Sequence, residues 1–430
     1  MEKRNILYEY ISRVEGQGSL RVSISGDKAV DARFEVFEAP RFFEAFVRGR
    51  SALEMPELTS RICGICPIAH VITAARAIEN ALALVVDERA VALRKALALS
   101  GIMQSHVLHI YFLAAPDFLG YPSAIAASRD LRDVVARGMR LKRTANMVSE
   151  YIGGRAVHPV TVVVGGLSRP PPRERLSEVM SSLDSALGDA LETVRLVSGF
   201  RYPDFETDHI DVALHSEREY PINEGTIAAS SGVSFVERMY RENVYEEQVA
   251  HSNTKRSRLR DGGKPFAVGP ISRFNLNYDS LCDSAKEAAE AAGVKPPVRN
   301  PFKSTIVRAI EVVQAVEEMR RILRDGVAVP PPREARLRQG VGAAATEAPR
   351  GLLYHYYALD RDGRVSSCDI VTPTAHNSLR IEEDVYELTP SVASSSDEDL
   401  RRLFGMLVRA YDPCISCSVH AMRIEVNRRG

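Results

Sequence analysis

Hydrophobic and polar residues alternate near the start of the chain. Apolar side chains occupy every second position over residues 20–24 and again over 30–36, on either side of a Gly26-Asp27 turn. A period of two is that of a strand with one buried face, so this segment predicts a β-hairpin. A second hairpin is predicted at Asp362-Gly363, where a two-residue turn separates LLYHYYAL from VSSCDIV.

Much of the remaining chain shows the helical period instead. Apolar stripes predict helices over about 91–113, over 176–194 and over 306–323. Pro67 suits the first turn of a further helix, and a last helix over about 397–410 leads into the final cysteines. The predicted class is α+β and mainly helical, with an N-terminal β-hairpin region, a central helical bundle and a small C-terminal α/β part.

We expect residues 1–430 to form one structural unit. Its parts are a β-rich stretch over 1–50, a helical core over 51–330, a C-terminal part over 331–420 and a tail over 421–430. The expectation of one unit depends on two cysteine pairs at opposite ends of the chain. If these pairs meet, the chain closes on itself around them.

Composition and charge are those of a soluble globular protein. Hydrophobic residues make up 45% of the chain and charged residues 26%. Lys plus Arg equals Asp plus Glu, at 56 each, so the net charge gives no reason to expect nucleic acid or an anionic membrane as partner. The N-terminus lacks the pattern of a signal peptide, and the apolar stretches read as too short for a membrane span. We therefore expect a cytoplasmic protein.

Four of the six cysteines form two CxxC pairs, Cys63 with Cys66 and Cys414 with Cys417. Thiolates are soft ligands that select zinc, iron–sulfur centres, or nickel and iron. Zinc ribbons separate their pairs by about 15–20 residues, and these pairs lie at opposite ends of the chain, which argues against a local ribbon. A four-cysteine iron–sulfur cluster remains open, because spacing alone cannot decide between it and a nickel or iron site.

The residues around both pairs resemble the cysteine signatures of nickel–iron hydrogenase large subunits. The two segments are RICGICP at 61–67, followed by His70, and DPCISCSVH at 412–420. Weaker matches spread the resemblance over nearly the whole chain: RVEGQG (13–18), RFFEAFVRGR (41–50), EAPRG (347–351) and VTPT (371–374). The resemblance implies that family's large-subunit fold and the reversible heterolytic cleavage of dihydrogen to protons and electrons.

The same resemblance implies a nickel–iron centre whose iron also holds carbon monoxide and cyanide. Cys63 and Cys414 would be terminal nickel ligands, and Cys66 and Cys417 would bridge nickel to iron. His70 would donate a hydrogen bond to a bridging sulfur and so tune the metal site.

Further motif residues would surround this centre. Arg350 would cap the pocket with its planar guanidinium near the cyanide ligands, and Pro349 would line the same pocket. Thr374 would offer its hydroxyl to the other cyanide. Glu15 would take the proton from Cys414 and pass it outward.

A second metal site is implied near the C-terminus. Glu44, His420 and the backbone carbonyl of Ile370 would hold a magnesium or iron ion. The tail after His420, AMRIEVNRRG, would be removed by a maturation protease once nickel-insertion proteins have acted. A permanent tail in a family member that needs no cleavage is the open alternative.

Two positions depart from the family pattern. Gln17 stands where the family often has histidine, and Ser105 stands where many uptake enzymes carry an aspartate. The neighbouring His106 and His109 still match. This combination favours the cytoplasmic, nucleotide-linked branch of the family, which includes sulfhydrogenases.

The electrons must leave through other proteins. Cys282 and Cys368, which we expect to be buried thiols, are too few for an iron–sulfur relay. An iron–sulfur small subunit is therefore implied, with flavin- or NAD(P)-binding and further iron–sulfur subunits that exchange electrons with NAD(P)(H) or a similar acceptor. Gly340, Gly342 and Ala345 mimic a dinucleotide fingerprint, but we read the segment as an active-site loop because no strand precedes it.

An alternative without hydrogenase activity is a scaffold subunit stabilised by zinc or an iron–sulfur cluster. Such a protein would be related to the quinone-site subunit of respiratory complex I, whose family has lost these four cysteines. The presence of all four here favours the hydrogenase interpretation. Metal content separates the two, because only the hydrogenase would contain nickel.

Overall fold

The computed structural model describes residues 3–419, so His420 and the predicted tail over 421–430 lie outside the described residues. The chain opens with an antiparallel sheet of β1 (Lys3–Tyr8), β2 (Gly18–Ser25) and β3 (Lys28–Val36). Leu20 pairs with Phe34, and both side chains are buried on the inner face. The predicted first hairpin is confirmed.

A largely helical stretch follows. Its elements are α1 (Phe43–Phe46), α2 (Met55–Ser60), α3 (Pro67–Leu82), α4 (Glu88–Leu108), α5 (Ala115–Leu119), α6 (Ala124–Ala127), α7 (Arg132–Gly153), β4 (Val162–Val163), β5 (Gly166–Leu167) and α8 (Leu176–Ser198). A π-helical turn over His109–Ala114 joins α4 to α5. The helices predicted from residue 67, over 91–113 and over 176–194 are confirmed.

A region of short strands, which the sequence analysis did not predict, lies within the stretch expected to be helical. Its elements are β6 (Ile210–His215), β7 (Thr226–Ala229), β8 (Ser234–Phe235), α9 (Tyr240–Asn243), β9 (Val244–Gln248), β10 (Lys255–Leu259) and β11 (Phe266–Ala267). Four of these strands form one sheet in the order β11-β6-β7-β8. Runs of two to six residues are too short to show a clear period of two.

Three helices and a C-terminal α/β part complete the chain. The helices are α10 (Pro270–Asn277), α11 (Asp283–Ala291) and α12 (Ser304–Arg324). The last part comprises β12 (Gly340–Ala348), β13 (Gly351–Leu359), β14 (Val365–Val371), α13 (Pro373–Val392), α14 (Asp397–Tyr411) and α15 (Ile415–Ser418). The predicted second hairpin is the antiparallel pair β13–β14, and the last predicted helix is α14.

The active-site loop predicted around Gly340 and Gly342 is wrong, because the segment is strand β12, paired with β13 along its whole length. The two glycines allow this strand to lie directly against α3. A Cβ atom at Gly342 would stand 2.2 Å from the carbonyl oxygen of Ala77, and one at Gly340 would stand 2.1 Å from that of Ala81. The resemblance to a phosphate-binding loop therefore reflects close packing of a strand on a helix.

The core divides into layers that bring the ends of the chain together. Helices α4, α7, α8 and α12 form a bundle, in which Val307, Ile310 and Val313 of α12 are fully buried. The N-terminal sheet packs on α13 and α14, and the backbone N–H of Phe34 donates to Glu382 of α13 at 2.7 Å. The predicted α+β class is confirmed, with about 49% of residues in helices.

One helical stretch, Glu88–Leu119, is long and apolar enough to cross a membrane by length and composition alone. However, 83% of its apolar window is buried inside the protein, as in the core helix of a bundle. No clear membrane span is therefore indicated within residues 3–419.

Candidate metal centre

The two CxxC pairs meet in one buried cradle. Cys63 and Cys66 lie in the turn between α2 and α3, while Cys414 follows α14 and Cys417 lies in α15. The four sulfur atoms all lie within 4.8 Å of one another. Their separations include 3.2 Å between Cys63 and Cys414 and 3.3 Å between Cys66 and Cys417. The fold therefore places four soft ligands around one point, although 351 residues separate the partners in each of these pairs.

The electrostatics of the cradle fit a metal better than four free thiols. Hydrogen bonds from Cys414, Cys417 and Cys66 hold the pKa of Cys63 well below its ordinary value. Burial raises the pKa of Cys414 and of Cys417 well above it. Only one sulfur is thus favoured as a thiolate without a cation. Divalent metal ions remove this cost, because they deprotonate the thiols that coordinate them.

Arg350 lies beside the cradle, in the turn between β12 and β13. Its Nε donates to the backbone oxygen of Asp412 at 2.6 Å, and its Nη2 donates to Asp412 Oδ1 at 2.9 Å. Nη1 is buried and has no hydrogen-bond partner within residues 3–419. A buried guanidinium nitrogen without an acceptor costs free energy. An anionic ligand on a metal in the cradle would supply that acceptor.

Thr374 and Pro349 complete this side of the site. Thr374 starts α13 and accepts a hydrogen bond from the backbone N–H of Cys414 at 2.8 Å, so its hydroxyl hydrogen can point elsewhere. Pro349 is buried, and Arg273 donates to its carbonyl oxygen at 3.1 Å. Thr374 therefore contacts the backbone of a cradle cysteine, and Pro349 directly precedes Arg350 in the turn between β12 and β13.

Glu15 contacts the cradle from the N-terminal side. Its backbone pairs with Cys414 in an isolated parallel bridge, and the Cys414 sulfur lies 3.2 Å from Glu15 Oε2. The backbone N–H of Ser416 donates to the same oxygen at 3.0 Å. The carboxyl group therefore lies within direct hydrogen-bond reach of a cradle sulfur.

His70 is buried on α3, one turn beyond Cys66. Its Nδ1 lies 3.1 Å from Nε2 of His355, and Nδ1 of His355 lies 2.9 Å from the hydroxyl of Tyr357. His355 and Tyr357 were not predicted from the sequence. They stand at alternate positions of β13, where they read as ordinary inward-facing strand residues.

Glu44 and Ile370, two of the three residues predicted for the second metal site, are in contact through the backbone N–H of Ile370. The backbone N–H of Ile370 donates to Glu44 Oε1 at 2.8 Å, so this carboxylate lies at the edge strand β14. The third predicted group, His420, lies outside the described residues.

A buried network of charged side chains continues inward from Arg350. The residues of this network that contact Arg350 or its neighbours were not predicted from the sequence to support the site. Arg308 lies 3.6 Å from Asp412. Arg273 is fully buried, pairs with Glu311 and Glu347, and donates to the carbonyl oxygens of residues 348 and 349. The sequence could have indicated a role for Asp412, because this residue lies beside the second CxxC pair. Arg273 lies in no motif.

The residues that depart from or match the family pattern near position 105 are all buried. Ser105 Oγ has no hydrogen-bond partner within the described part of the chain. His106 lies 2.6 Å from Glu311, and His109 lies 2.7 Å from the carbonyl oxygen of Arg409. His106 therefore contacts a partner of Arg273, and His109 contacts the backbone that leads to Asp412.

Comparisons with known proteins give one consistent family. The family model described as nickel-dependent hydrogenase matches residues 41–137 and 235–420. Sulfhydrogenase 1 subunit alpha of Pyrococcus furiosus is 35% identical over 97% of this chain and 98% of its own. Sulfhydrogenase 2 subunit alpha of the same organism is 32% identical over 96% and 98%. The NAD-reducing hydrogenase HoxS subunit beta of Cupriavidus necator is 26% identical over 97% and 95%.

Solved structures show the same fold. A chain of an NAD+-reducing [NiFe]-hydrogenase in the H2-reduced state superposes with a TM-score of 0.88 at 24% identity, covering 97% of this chain and 99% of the other. The Ni-Fe-Se hydrogenase of Desulfovibrio vulgaris Hildenborough gives a TM-score of 0.78 at 21% identity, over 97% and 100%. The likeness confirms the large-subunit fold predicted from the sequence.

Proposed function

The chain belongs to the nickel-dependent hydrogenase family, as the catalytic large subunit of an enzyme that acts on dihydrogen, and on that premise we propose how its residues serve the reaction. Cys63 and Cys414 would hold nickel as terminal ligands, and Cys66 and Cys417 would be shared between nickel and an iron that would carry carbon monoxide and cyanide. The closure of two distant CxxC pairs into one buried cradle supports this proposal. The bound centre supplies the Lewis-acid and redox chemistry that splits dihydrogen heterolytically.

The surrounding residues hold anionic ligands and exclude water. Arg350 offers Nη1, the guanidinium nitrogen that has no partner within residues 3–419, to a cyanide, while Asp412 fixes the guanidinium plane through Nε and Nη2. Thr374 offers its hydroxyl hydrogen to the other cyanide. Pro349 closes the pocket, and His70 donates to a bridging sulfur. Fixed donors in a dry site stabilise charge without reorganisation.

Glu15 receives the proton released at Cys414. The 3.2 Å contact between the Cys414 sulfur and Glu15 Oε2 supports this role, because proton transfer needs hydrogen-bond reach. Glu15 is itself half-buried, and it lies between the buried cradle and the exposed residues that follow it in the N-terminal segment. It is therefore placed to connect the site with solvent.

Electrons leave through an iron–sulfur small subunit. Within residues 3–419 the cradle is the one cluster of metal-ligating side chains, and the other two thiols are separate: Cys368 is buried in β14 and Cys282 is half-buried before α11. The segment next to the cradle exposes Phe42, Phe46 and Leu53, as contact surfaces do. We place the small subunit there, with flavin- or NAD(P)-binding and further iron–sulfur subunits beyond it.

The remaining proposals concern the second ion and the cell. Glu44 and the carbonyl of Ile370, with His420, bind magnesium or iron near the proton route. Residues 1–430 of this chain form one structural unit. Nickel-insertion proteins and a protease mature the chain, and the assembled complex works in the cytoplasm. NAD(P)(H) or a similar carrier is the electron partner.

Metal analysis and isotope exchange between dihydrogen and D2O test the proposal on the complex purified from its host. We expect nickel and iron in the wild-type complex, and loss of both nickel and exchange in Cys417→Ser. Cys282→Ser is the matched control and should keep both, because this thiol lies outside the cradle. Zinc without nickel in the wild-type complex would favour the scaffold alternative and overturn the proposal.

A further inference from the structure

A second carboxyl group stands behind Glu15, joined to it by one hydroxyl. Ser416 Oγ donates to Glu15 Oε1 and lies 2.9 Å from Glu38 Oε1. We propose that Glu15, Ser416 and Glu38 form a proton relay, in which Glu38 is the group that exchanges the proton with solvent. This inference rests on the proposed role of Glu15 and extends it by two residues.

The hydrogen count supports the relay. A serine hydroxyl has one hydrogen, so it can donate to only one carboxylate at a time. The Ser416 hydroxyl lies close to both Glu15 and Glu38. Both contacts are hydrogen bonds when one of the two carboxyls is protonated and donates to the Ser416 oxygen. The arrangement therefore holds one proton between two acceptors of the same kind, and shifting two hydrogens moves it from one carboxyl to the other.

The proton balance is simple. A proton passes from the Cys414 sulfur to Glu15 Oε2, and a half-turn of the carboxyl about its terminal torsion, which is broad and two-fold, brings it to Ser416. Glu15 then gives this proton to Ser416 Oγ, while Ser416 gives its own hydrogen to Glu38 Oε1. One S–H or O–H bond breaks for each O–H bond that forms, and no electrons move.

The backbone holds each member in place. The N–H of Ser416 binds Glu15 Oε2 at 3.0 Å, and the N–H of Gln17 binds Glu38 Oε2 at 3.1 Å. The carbonyl oxygen of Glu38 accepts from Asn253 at 3.1 Å. Each carboxyl thus has one oxygen bound to a backbone N–H while the other faces the serine, and the half-turn of Glu15 exchanges its two oxygens between these positions.

Gly16 makes the close approach possible. It has a φ of +87°, and a Cβ atom at this position would stand 2.6 Å from Glu38 Oε2 and 2.6 Å from Cβ of Ile415. Any larger residue would push Glu38 away from Ser416. This close approach explains why the RVEG segment has glycine at position 16, which the motif alone does not explain.

The relay runs from a dry interior to a wetter edge. Cys414 is 3% exposed, Glu15, Ser416 and Glu38 are half-buried, and Gln17 and Phe37 beside the last carboxyl are exposed. Arg41 donates to the backbone oxygen of Ser416 at 2.6 Å and fixes the turn from the other side. A proton on Glu38 has thus reached the surface of the chain.

The test compares Glu38→Gln with wild type in the purified complex. Glutamine keeps the size and can keep the bond from Gln17, but its amide neither accepts nor releases a proton in this pH range. Because a positioned acid–base group contributes about 10²–10⁴-fold and water can partly replace it, we expect exchange between dihydrogen and D2O to fall about tenfold or more. Glu38→Asp should restore part of the rate, and imidazole at high concentration should raise the rate of Glu38→Gln but not that of wild type.

Matched variants separate the relay from structural damage. Glu35→Gln, near the end of β3 and three residues before Glu38, is bonded to Ser19 and Arg21 and should exchange at the wild-type rate. If Glu38→Gln does not assemble, Ser416→Ala against Ser416→Thr gives the same comparison, since threonine keeps the hydroxyl. Unchanged exchange in Glu38→Gln or Ser416→Ala, with exchange lost in Glu15→Gln, would overturn the relay alone. A wild-type complex without nickel or exchange would instead overturn the proposed function.

Discussion

At the residue scale, the side chain of Arg350 serves two purposes. Two of its guanidinium nitrogens donate to Asp412, while the third nitrogen is buried beside the sulfur cradle and has no partner among the described residues. Lysine has the same charge but only one nitrogen, so it cannot bind Asp412 in this forked manner and also reach into the pocket.

We predict that Arg350→Lys lowers dihydrogen oxidation about a hundredfold while nickel content stays at the wild-type level, as for the loss of one preorganised donor. The measurement is turnover per nickel in the purified complex. Arg195→Lys, exposed on α8 beside Glu192, is the matched control and should be neutral. Full turnover in Arg350→Lys would remove this arginine from the mechanism.

Sequence could predict those residues that lie within the motifs or beside a cysteine. The four cysteines, Arg350 and Glu15 each stand in such a segment, and the structure brings all of them to one place. Glu38 and Ser416 could not be paired in advance, because 378 residues separate them and neither glutamate nor serine is unusual on a surface. Only the closure of the chain makes them neighbours.

At the scale of elements, the period of the hydrophobic pattern was a good guide wherever an element was long. The hairpin of β2 and β3 and the helices α3, α8 and α12 appear where the pattern places them. The strands between 210 and 267 are short, and their burial depends on neighbours from distant parts of the chain. Strand β12 was misread because its glycines match a loop motif, while their use is close packing on α3.

This packing gives a prediction for Gly342→Ala. The added Cβ would lie 2.2 Å from the carbonyl oxygen of Ala77, so β12 must move away from the helix that carries His70 and follows Cys66. We expect the unfolding free energy to fall by about 1–3 kcal/mol, as in overpacked cores. Thermal unfolding of the complex, followed with nickel content, measures both effects.

The control for that substitution is Gly188→Ala on α8, where an added Cβ meets nothing within 4 Å. Alanine is the better helix former, so this change should be neutral or stabilise by up to about 1 kcal/mol. Equal effects of the two substitutions would show that β12 does not depend on close approach to α3.

At the scale of the whole molecule, the interior contains several neutral histidines. Burial lowers the pKa of His106 to about 4 and that of His109 and His376 to about 3. In the unfolded chain each would titrate near about 6.5. Between pH 6.5 and pH 4 the unfolded chain therefore binds more protons than the folded one, and stability falls as the pH falls.

Three such groups give a slope of up to about 4 kcal/mol per pH unit near pH 5. The melting temperature of the complex, measured from pH 7 to pH 4.5, should drop steeply below pH 6.5. His376→Gln removes one of the three groups and should make the slope shallower. A melting temperature that stays constant over this range would contradict the burial of neutral histidines.

The central claim is that the cysteine cradle holds a nickel–iron centre whose iron carries carbon monoxide and cyanide. Infrared spectroscopy of the complex, purified without oxygen from its own host, tests this claim most directly, because few other protein groups absorb where these ligands do. We expect stretching bands of both ligands, with the cyanide bands shifted in Arg350→Lys. A spectrum without such bands, from a complex that contains zinc or only iron–sulfur clusters, would contradict it.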